Sequence, residues 1–278
     1  MIEEKAGSFN NNKMRIGEVL VADGKLTREE AAQAAQLSTE RKMLFGQAAV
    51  LLGFVTREDV SSAFARHKEF RHRTAAAQVS DDVFFLKDPH SDQSKDILLL
   101  AKTLALRWFK GKPNNKVLSI ISAERHEGRS TIAANLACVF ANAGARTLLI
   151  DADLHNPNIH NMFGLGKTSE MLAAQYKIEG VDNLSIMPAG ELFEIVYDGF
   201  MRSTFTALME EKRREYDAIF IDTPAASVSN DFQIVGSVAG GALAVTRQGQ
   251  TRTRPTIKML NTCDDEGIEV VGGTMLRS

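Results

Sequence analysis

Cysteine is scarce. Cys138 and Cys263 are the only two among 278 residues, which excludes a disulfide framework and a cysteine-built metal site and fits a reducing compartment. Cys138 falls inside an apolar helical pattern, the setting of a buried thiol. Long hydrophobic runs are missing as well. The most apolar stretch of the first half, Ile97 to Phe109, is interrupted by Lys102 and Arg107, too short and too charged to span a bilayer. The opening MIEEKAGSFNNNK has no apolar run behind its charges and does not read as a secretory signal. Neither sign of charge dominates: 33 basic against 35 acidic side chains leave a net charge of −2, so no bulk electrostatic grip on nucleic acid is expected. The six histidines are scattered without metal-ligand spacing. With 44% hydrophobic and 24% charged residues the composition is that of an ordinary soluble protein, and a mainly disordered chain is excluded. The expectation is a cytoplasmic protein of one large domain or two, docked on a membrane partner if it meets a membrane at all.

The first seventy or so residues repeat themselves. Ile16-Gly17-Glu18, Gly24 and Thr27-Arg28-Glu29 return as Phe45-Gly46-Gln47, Gly53 and Thr56-Arg57-Glu58, always 29 residues on. Thr27 with Glu30, and Thr56 with Asp59, have the spacing of a helix N-cap and its reciprocal acid. Each unit therefore reads as a short helix, a glycine turn and a second helix. Two units make a small helical domain over 1–73. A basic run follows at Arg66, Lys68, Arg71 and Arg73, with His67 and His72 between. Residues 74–93 mix small, polar and acidic side chains with Pro89 and read as a linker.

From 94 to 278 strands alternate with helices. Val117–Ile121, Thr147–Ile150, Leu184–Met187, Ala218–Ile221, Ala242–Val245 and Val270–Val271 are short apolar runs, as buried strands are. Ser130–Ala143 and Phe200–Glu215 have helical periodicity. The fold class is α/β: a mostly parallel sheet with helices on both faces, preceded by the small all-α domain. Such sheets bind ligands beyond the C-terminal ends of their strands, here just after Ile121, Ile150 and Ile221.

Phosphate chemistry is written at all three places. After the first comes Ala123-Glu-Arg-His-Glu127-Gly128-Arg129-Ser130-Thr131, close to the G-x-x-x-x-G-K-[ST] phosphate loop but with Ala123 for the first glycine and Arg129 for the lysine. Gly128 lets backbone approach a phosphate, the Ser130 hydroxyl is a Mg²⁺ ligand, and the helix starting there aims free N–H groups at an anion. After the second comes Asp151-Ala-Asp153, whose carboxylates share one side of an extended segment and suit a metal or an attacking hydroxyl. After the third comes Asp222-Thr-Pro224, a single acid closing a buried strand as a Walker B acid does.

With Asn135-Leu136-Ala137, Leu149 to Leu154, Pro157, Phe163-Gly164-Leu165, Leu184 to Gly190 and Tyr216 to Ala225, these segments resemble the bacterial tyrosine kinases of polysaccharide export, relatives of the MinD and ParA P-loop ATPases. They resemble in particular the chain-length-determinant branch (EpsG type). The resemblance implies Mg²⁺ and ATP as cofactors and transfer of the γ-phosphate to tyrosine. It places Glu127, Gly128, Arg129, Ser130 and Thr131 in the nucleotide loop and Arg129, Asp151 and Asp153 in catalysis. It places the metal at Ser130, Asp151 and Asp222. It also implies a membrane polysaccharide co-polymerase as partner. The N-terminal repeat resembles that of type II secretion and pilus ATPases, some of which bind cyclic di-GMP there, so residues 15–67 are a candidate site for it beside plain protein docking. Several positions depart from the kinase pattern. Only Tyr176, Tyr197 and Tyr216 are present, so phosphorylation is expected on other proteins. His126 replaces a loop glycine and His155 an arginine. Two readings stay open: a working kinase or ATPase, and a regulatory scaffold that binds without turnover.

Overall fold

The computed structural model describes residues 16–41, 45–57, 59–60, 72–75, 79–110, 115–165, 175–189 and 201–277. It divides into two compact units, 1–67 and 68–278.

In the first unit, helices α1 (Ile16–Ala22), α2 (Arg28–Arg41) and α3 (Phe45–Leu51) carry the repeat into three dimensions. Gly24 (φ 68°) and Gly53 (φ 73°) take the left-handed turn that ends each first helix. Gly24 donates to Val21 O and Lys25 to Leu20 O; 29 residues on, Gly53 donates to Val50 O and Phe54 to Ala49 O. Both expected capping boxes are closed. Thr27 N and Oγ1 donate to Glu30 while Glu30 N donates to Thr27 Oγ1 at 3.2 Å. Thr56 and Asp59 do the same, with Asp59 N donating to Thr56 Oγ1 at 3.1 Å. The repeated Gly17 and Gly46 are points of close packing: a Cβ would meet the Phe45 ring at 2.8 Å and Val60 at 3.1 Å. Leu20, Leu26, Ala34, Ala48, Ala49, Val55 and Val60 form the small core. Of the candidate ligand span 15–67, residues 15, 42–44, 58 and 61–67 lie outside the described residues, as do Arg66, Lys68 and Arg71 of the basic run.

The second unit is an eight-stranded sheet in the order β1-β4-β5-β3-β6-β2-β7-β8. The strands are β1 (His72–Ala75), β2 (Val117–Ile121), β3 (Thr147–Asp151), β4 (Gln175–Ile178), β5 (Val181–Met187), β6 (Ala218–Asp222), β7 (Gly241–Arg247) and β8 (Glu269–Leu276). Every pairing is parallel except β4 with β5. Strands β2, β3 and β6 are buried at every position, as central strands covered on both faces must be. Their alternation sends Leu118, Ile120, Leu149 and Phe220 to one face and Val117, Leu148, Ile150, Ile219 and Ile221 to the other. Against the first face lie α4 (Phe84–Lys87), α5 (Asp92–Leu104) and α6 (Arg129–Asn142), the last buried along nearly its whole length. Phe109, Phe140 and Phe220 pack ring to ring there, centroids 4.9 to 5.5 Å apart. Among the described residues α5 runs on into a π-helical turn, Ala105–Phe109, and the remaining helices are α7 (Ile159–Met162), α8 (Met201–Glu215), α9 (Asp231–Ala239) and α10 (Thr253–Asp265). Cys138 is buried, as its helical setting implied. Among the described residues no helix is long and apolar enough to cross a membrane.

The stretch read as a linker, 74–93, is part of this unit. Its first residues close β1, and Val83 and Phe85 belong to the main core. The polar composition concealed an anchor supplied from elsewhere: buried Asn135 of α6 accepts from Phe85 N at 2.9 Å and donates to Asp82 O at 2.8 Å. The backbone there is satisfied by a side chain 50 residues away, which no local pattern reveals.

Candidate functional site

Strand register assembles the site. Asp222 pairs with Asp151 across β6 and β3, and with Ile120 across β6 and β2. The three segments picked out in the sequence therefore leave the sheet side by side.

The phosphate loop spans 122–131. His126 (φ 62°) is the single non-glycine residue with positive φ among the described residues, and Gly128 (φ 94°) follows two positions on. The left-handed conformation costs a residue with a Cβ about 1–2 kcal/mol, so the loop keeps a strained residue where a glycine would be relaxed. At Gly128 a Cβ would also lie 2.0 Å from Leu276 Cδ1. Gly128 is the N-cap of α6 and has no side chain to cap it. The first N–H groups of a fourteen-residue helix are thus left for an anion. Thr131 sits in that first turn, its carbonyl accepting from Asn135.

Glu127 is fully buried. It accepts from Glu124 N at 2.8 Å and from the Thr251 hydroxyl, so its side chain braces the loop from inside. Arg129 is also turned inward and is 7% exposed. Its Nε donates to Thr223 O at 2.8 Å, its Nη1 to Glu124 O at 2.9 Å and to the Ser122 hydroxyl, and its Nη2 lies 3.5 Å from Asp153 Oδ2. Its charge is spent inside the carboxylate cluster, and its rigid fork ties the phosphate loop to the turn after β6 in a way an ammonium would not.

Asp151 is wholly buried and accepts three backbone N–H bonds, from Asp153 at 3.1 Å and from Asn158 and Ile159 at 3.0 Å each. It organises the segment that carries Asp153. Burial, then the Asp222 charge beside it, push its carboxyl well above the usual range, against those N–H groups. Asp153 accepts from Asn156 N at 3.0 Å and faces Arg129. Asp222 accepts from the Ser130 hydroxyl through Oδ2. Its Oδ1 is buried with no partner among the described residues. Burial pushes this carboxyl up to about 7, although Arg129 and Ser130 pull it down.

A divalent cation fits this donor set. An orphaned buried carboxylate oxygen beside a serine hydroxyl at a helix N-terminus is half of a Mg²⁺ site whose other ligands are phosphates and water. Among the described residues no group of three His, Cys, Asp or Glu side chains has metal-holding geometry.

The sequence reading missed the residues that hold the loop from outside. Arg247 donates to His126 O at 3.0 Å, Gln250 to Arg125 O at 2.9 Å, Thr251 to Glu127, and Arg252 to the Glu124 carboxylate. No motif marks them. The available signal is topological: they follow β7, which neighbours β2 in the sheet, so the two loops leave the same edge together. His155, noted as a departure, lies 3.3 Å from Asp231.

Comparison with known proteins agrees with this geometry. The family model described as "ParA: NUBPL iron-transfer P-loop NTPase" matches residues 114–274. Tyrosine-protein kinase YwqD of Bacillus subtilis (strain 168) is 35% identical over 156 residues, 51% of this chain and 64% of that protein. A putative tyrosine-protein kinase EpsB of Ralstonia solanacearum is 26% identical over 289 residues, 88% of this chain and 37% of that protein. The kinase domain of the Escherichia coli tyrosine kinase ETK superposes with a TM-score of 0.58 at 21% identity, covering 76% of this chain and 84% of that one. The last likeness is one of fold. The chain spans less than two thirds of the length of these two curated relatives.

Proposed function

The chain belongs to the ParA family of P-loop NTPases, and from that premise we propose that it binds Mg·ATP at the C-terminal ends of β2, β3 and β6 and transfers the γ-phosphate to protein tyrosine, in the service of exopolysaccharide export. The observation that carries this is Asp222. Its unpartnered buried oxygen, the Ser130 hydroxyl on its other oxygen and the uncapped start of α6 converge on one place.

The roles follow from the contacts. The N–H groups from Gly128 to Thr131 hold the β- and γ-phosphate oxygens, as a helix start does. Ser130 and Asp222 hold the metal, with Asp151 beside them. Mg²⁺ supplies neutralisation of the phosphate charge that builds up during transfer. Asp153 orients the tyrosine hydroxyl and takes its proton. Arg129 fixes Asp153 and the loop against each other. Relatives named as tyrosine kinases support the choice of acceptor. Both cysteines are buried, in different clusters, so they do not form a paired thiolate site for the iron carriage in the family description.

The setting proposed is the cytoplasmic face of the inner membrane, beside a membrane polysaccharide co-polymerase. For the repeat unit two roles are held apart, docking on such a partner and binding cyclic di-GMP within 15–67; titration with cyclic di-GMP separates them. The kinase proposal is tested by incubating the full chain with Mg·ATP and a tyrosine-bearing peptide. Phosphotyrosine is expected, and its loss in Asp222→Asn. Nucleotide binding with no transfer to any tyrosine would leave a regulatory scaffold in place of an enzyme.

A further inference from the structure

Beside the phosphate loop lies a run of cations that the phosphate chemistry does not use. Arg125 stands exposed on the outer turn of the phosphate loop. Arg247, whose guanidinium reaches His126 O, and Arg252, clasped to Glu124, adjoin it. Arg254 and Lys258 continue the run along the exposed side of α10, one helical turn apart. Acids are few here. Glu124 is engaged by Arg252 and Glu127 is buried. Among the described residues no carboxylate lies within ion-pair distance of Arg125, Arg247, Arg254 or Lys258.

The arrangement is locally unfavourable. Helix α10 has no acid in its first turn, and its N-cap, Arg252, makes no capping hydrogen bond. Arginine at a helix start opposes the helix dipole. The acids of α10, Asp264 and Asp265, are at its far end, where cations would be favoured. Ile257, 51% exposed, lies between Arg254 and Lys258, giving an apolar step among the charges.

We propose that this rim receives an acidic polypeptide and lays its tyrosine across the site, so that the substrate class is tyrosine flanked by carboxylates. The inference rests on the kinase reading and names the substrate of the same site. Position argues for a polypeptide over a lipid surface. The cations begin at the phosphate loop itself, through Arg247 on His126 O and Arg252 on Glu124, where an acceptor must meet the γ-phosphate. A rim of one charge sign speeds capture of an opposite partner and is screened by salt.

The test compares wild-type full chain with Arg254→Glu/Lys258→Glu. Both residues are exposed and stand outside the catalytic and loop contacts. Two synthetic peptides are used, one with tyrosine between glutamates and one with tyrosine between serines and glycines. At low ionic strength, about 0.05 M, the expected result is a rise of about tenfold or more in KM for the glutamate peptide in the variant. Its kcat is expected to hold, with little change for the neutral peptide. Equal effects on both peptides, or none on either, would overturn the proposal. Transfer to the neutral peptide reports the kinase reading separately. If no transfer occurs at all, fluorescence anisotropy of the labelled glutamate peptide still decides: binding lost in the variant supports the rim, and unchanged binding overturns it. Binding of phosphatidylglycerol vesicles that is lost in the variant, with peptide binding unaffected, would assign the rim to a membrane and overturn the proposal as well.

Discussion

Two aspartates show how differently the two units are built. Asp59, in the repeat unit, is hydrogen-bonded to Thr56 and ion-paired with Lys25 at 2.7 Å on the surface. These partners hold its carboxyl well below the usual range. Asp222, in the larger unit, is buried beside other carboxylates and pushed up to about 7. The same contrast runs through the backbone. The turns of the repeat that need positive φ have Gly24 and Gly53; the phosphate loop puts His126 there. Among the described residues of the repeat unit the capping and turn preferences agree with the fold. At the sheet edge local preferences are overridden, by buried like charges, an inward-facing arginine and a strained histidine. Conflicts of that kind concentrate where a protein binds and reacts.

The largest expected effect that would sharpen this comparison is at Arg129. Replacing it by alanine leaves Asp153 and its neighbours without their buried counter-charge and should destabilise the larger unit by about 3–5 kcal/mol. Urea unfolding of the full chain followed at Trp108, which is buried in that unit, measures it; a loss below about 1 kcal/mol would mean that the inward contacts are incidental.

Next comes pH, where the two units should respond with opposite sign. A carboxyl raised to about 7 in the fold and near 3.9 when unfolded binds a proton more readily folded. Its unfavourable contribution is therefore present above pH 7 and relieved as pH falls through 7 toward 4, by an amount on the order of a few kcal/mol. Asp59 is depressed in the fold, so its stabilising contribution is present above pH 4 and lost as pH falls below that. Thermal unfolding from pH 8 to pH 5 should show the larger unit gaining stability, and Asp222→Asn should flatten that slope. A wild-type slope of the other sign would refute the buried-carboxylate account.

Smaller effects test the local rules. Thr56→Ala opens a capping box and should cost the repeat unit about 1 kcal/mol, read from helical circular dichroism during thermal unfolding. His126→Gly should have the opposite sign, a gain of about 0.5–1 kcal/mol, since relief of the left-handed strain outweighs the added chain entropy of glycine. If His126→Gly destabilises, the histidine side chain makes a favourable contact that outweighs the strain.

The parts that could be read from sequence are those governed by nearest neighbours. Val117–Ile121 was bounded correctly because an apolar run between polar segments has one simple explanation, and both capping boxes because donor and acceptor are three residues apart. The strain at His126 was readable because a glycine position in the kinase resemblance held a side chain. What escaped depends on distant partners. Strand β1, His72–Ala75, has no apolar run and is placed by parallel pairing with Gln175–Ile178. The segment around Phe85 is held by Asn135, and the loop after β7 joins the site only because β7 lies beside β2. The inward turn of Glu127 and Arg129 was also invisible, since a motif states which residues are present and not which way they face.

The most direct test of the central claim, that Asp222 is the metal-binding acid of a nucleotide site, is calorimetric titration of the full chain with Mg·ATP at pH 7 in two buffers of different ionisation heat. A carboxyl about half protonated at that pH must release its proton when a cation binds to it. The account predicts saturable binding whose heat depends on the buffer in wild type, and weakened binding with buffer-independent heat in Asp222→Asn. No binding by the folded wild-type chain, or the same buffer-independent heat in both proteins, would contradict it.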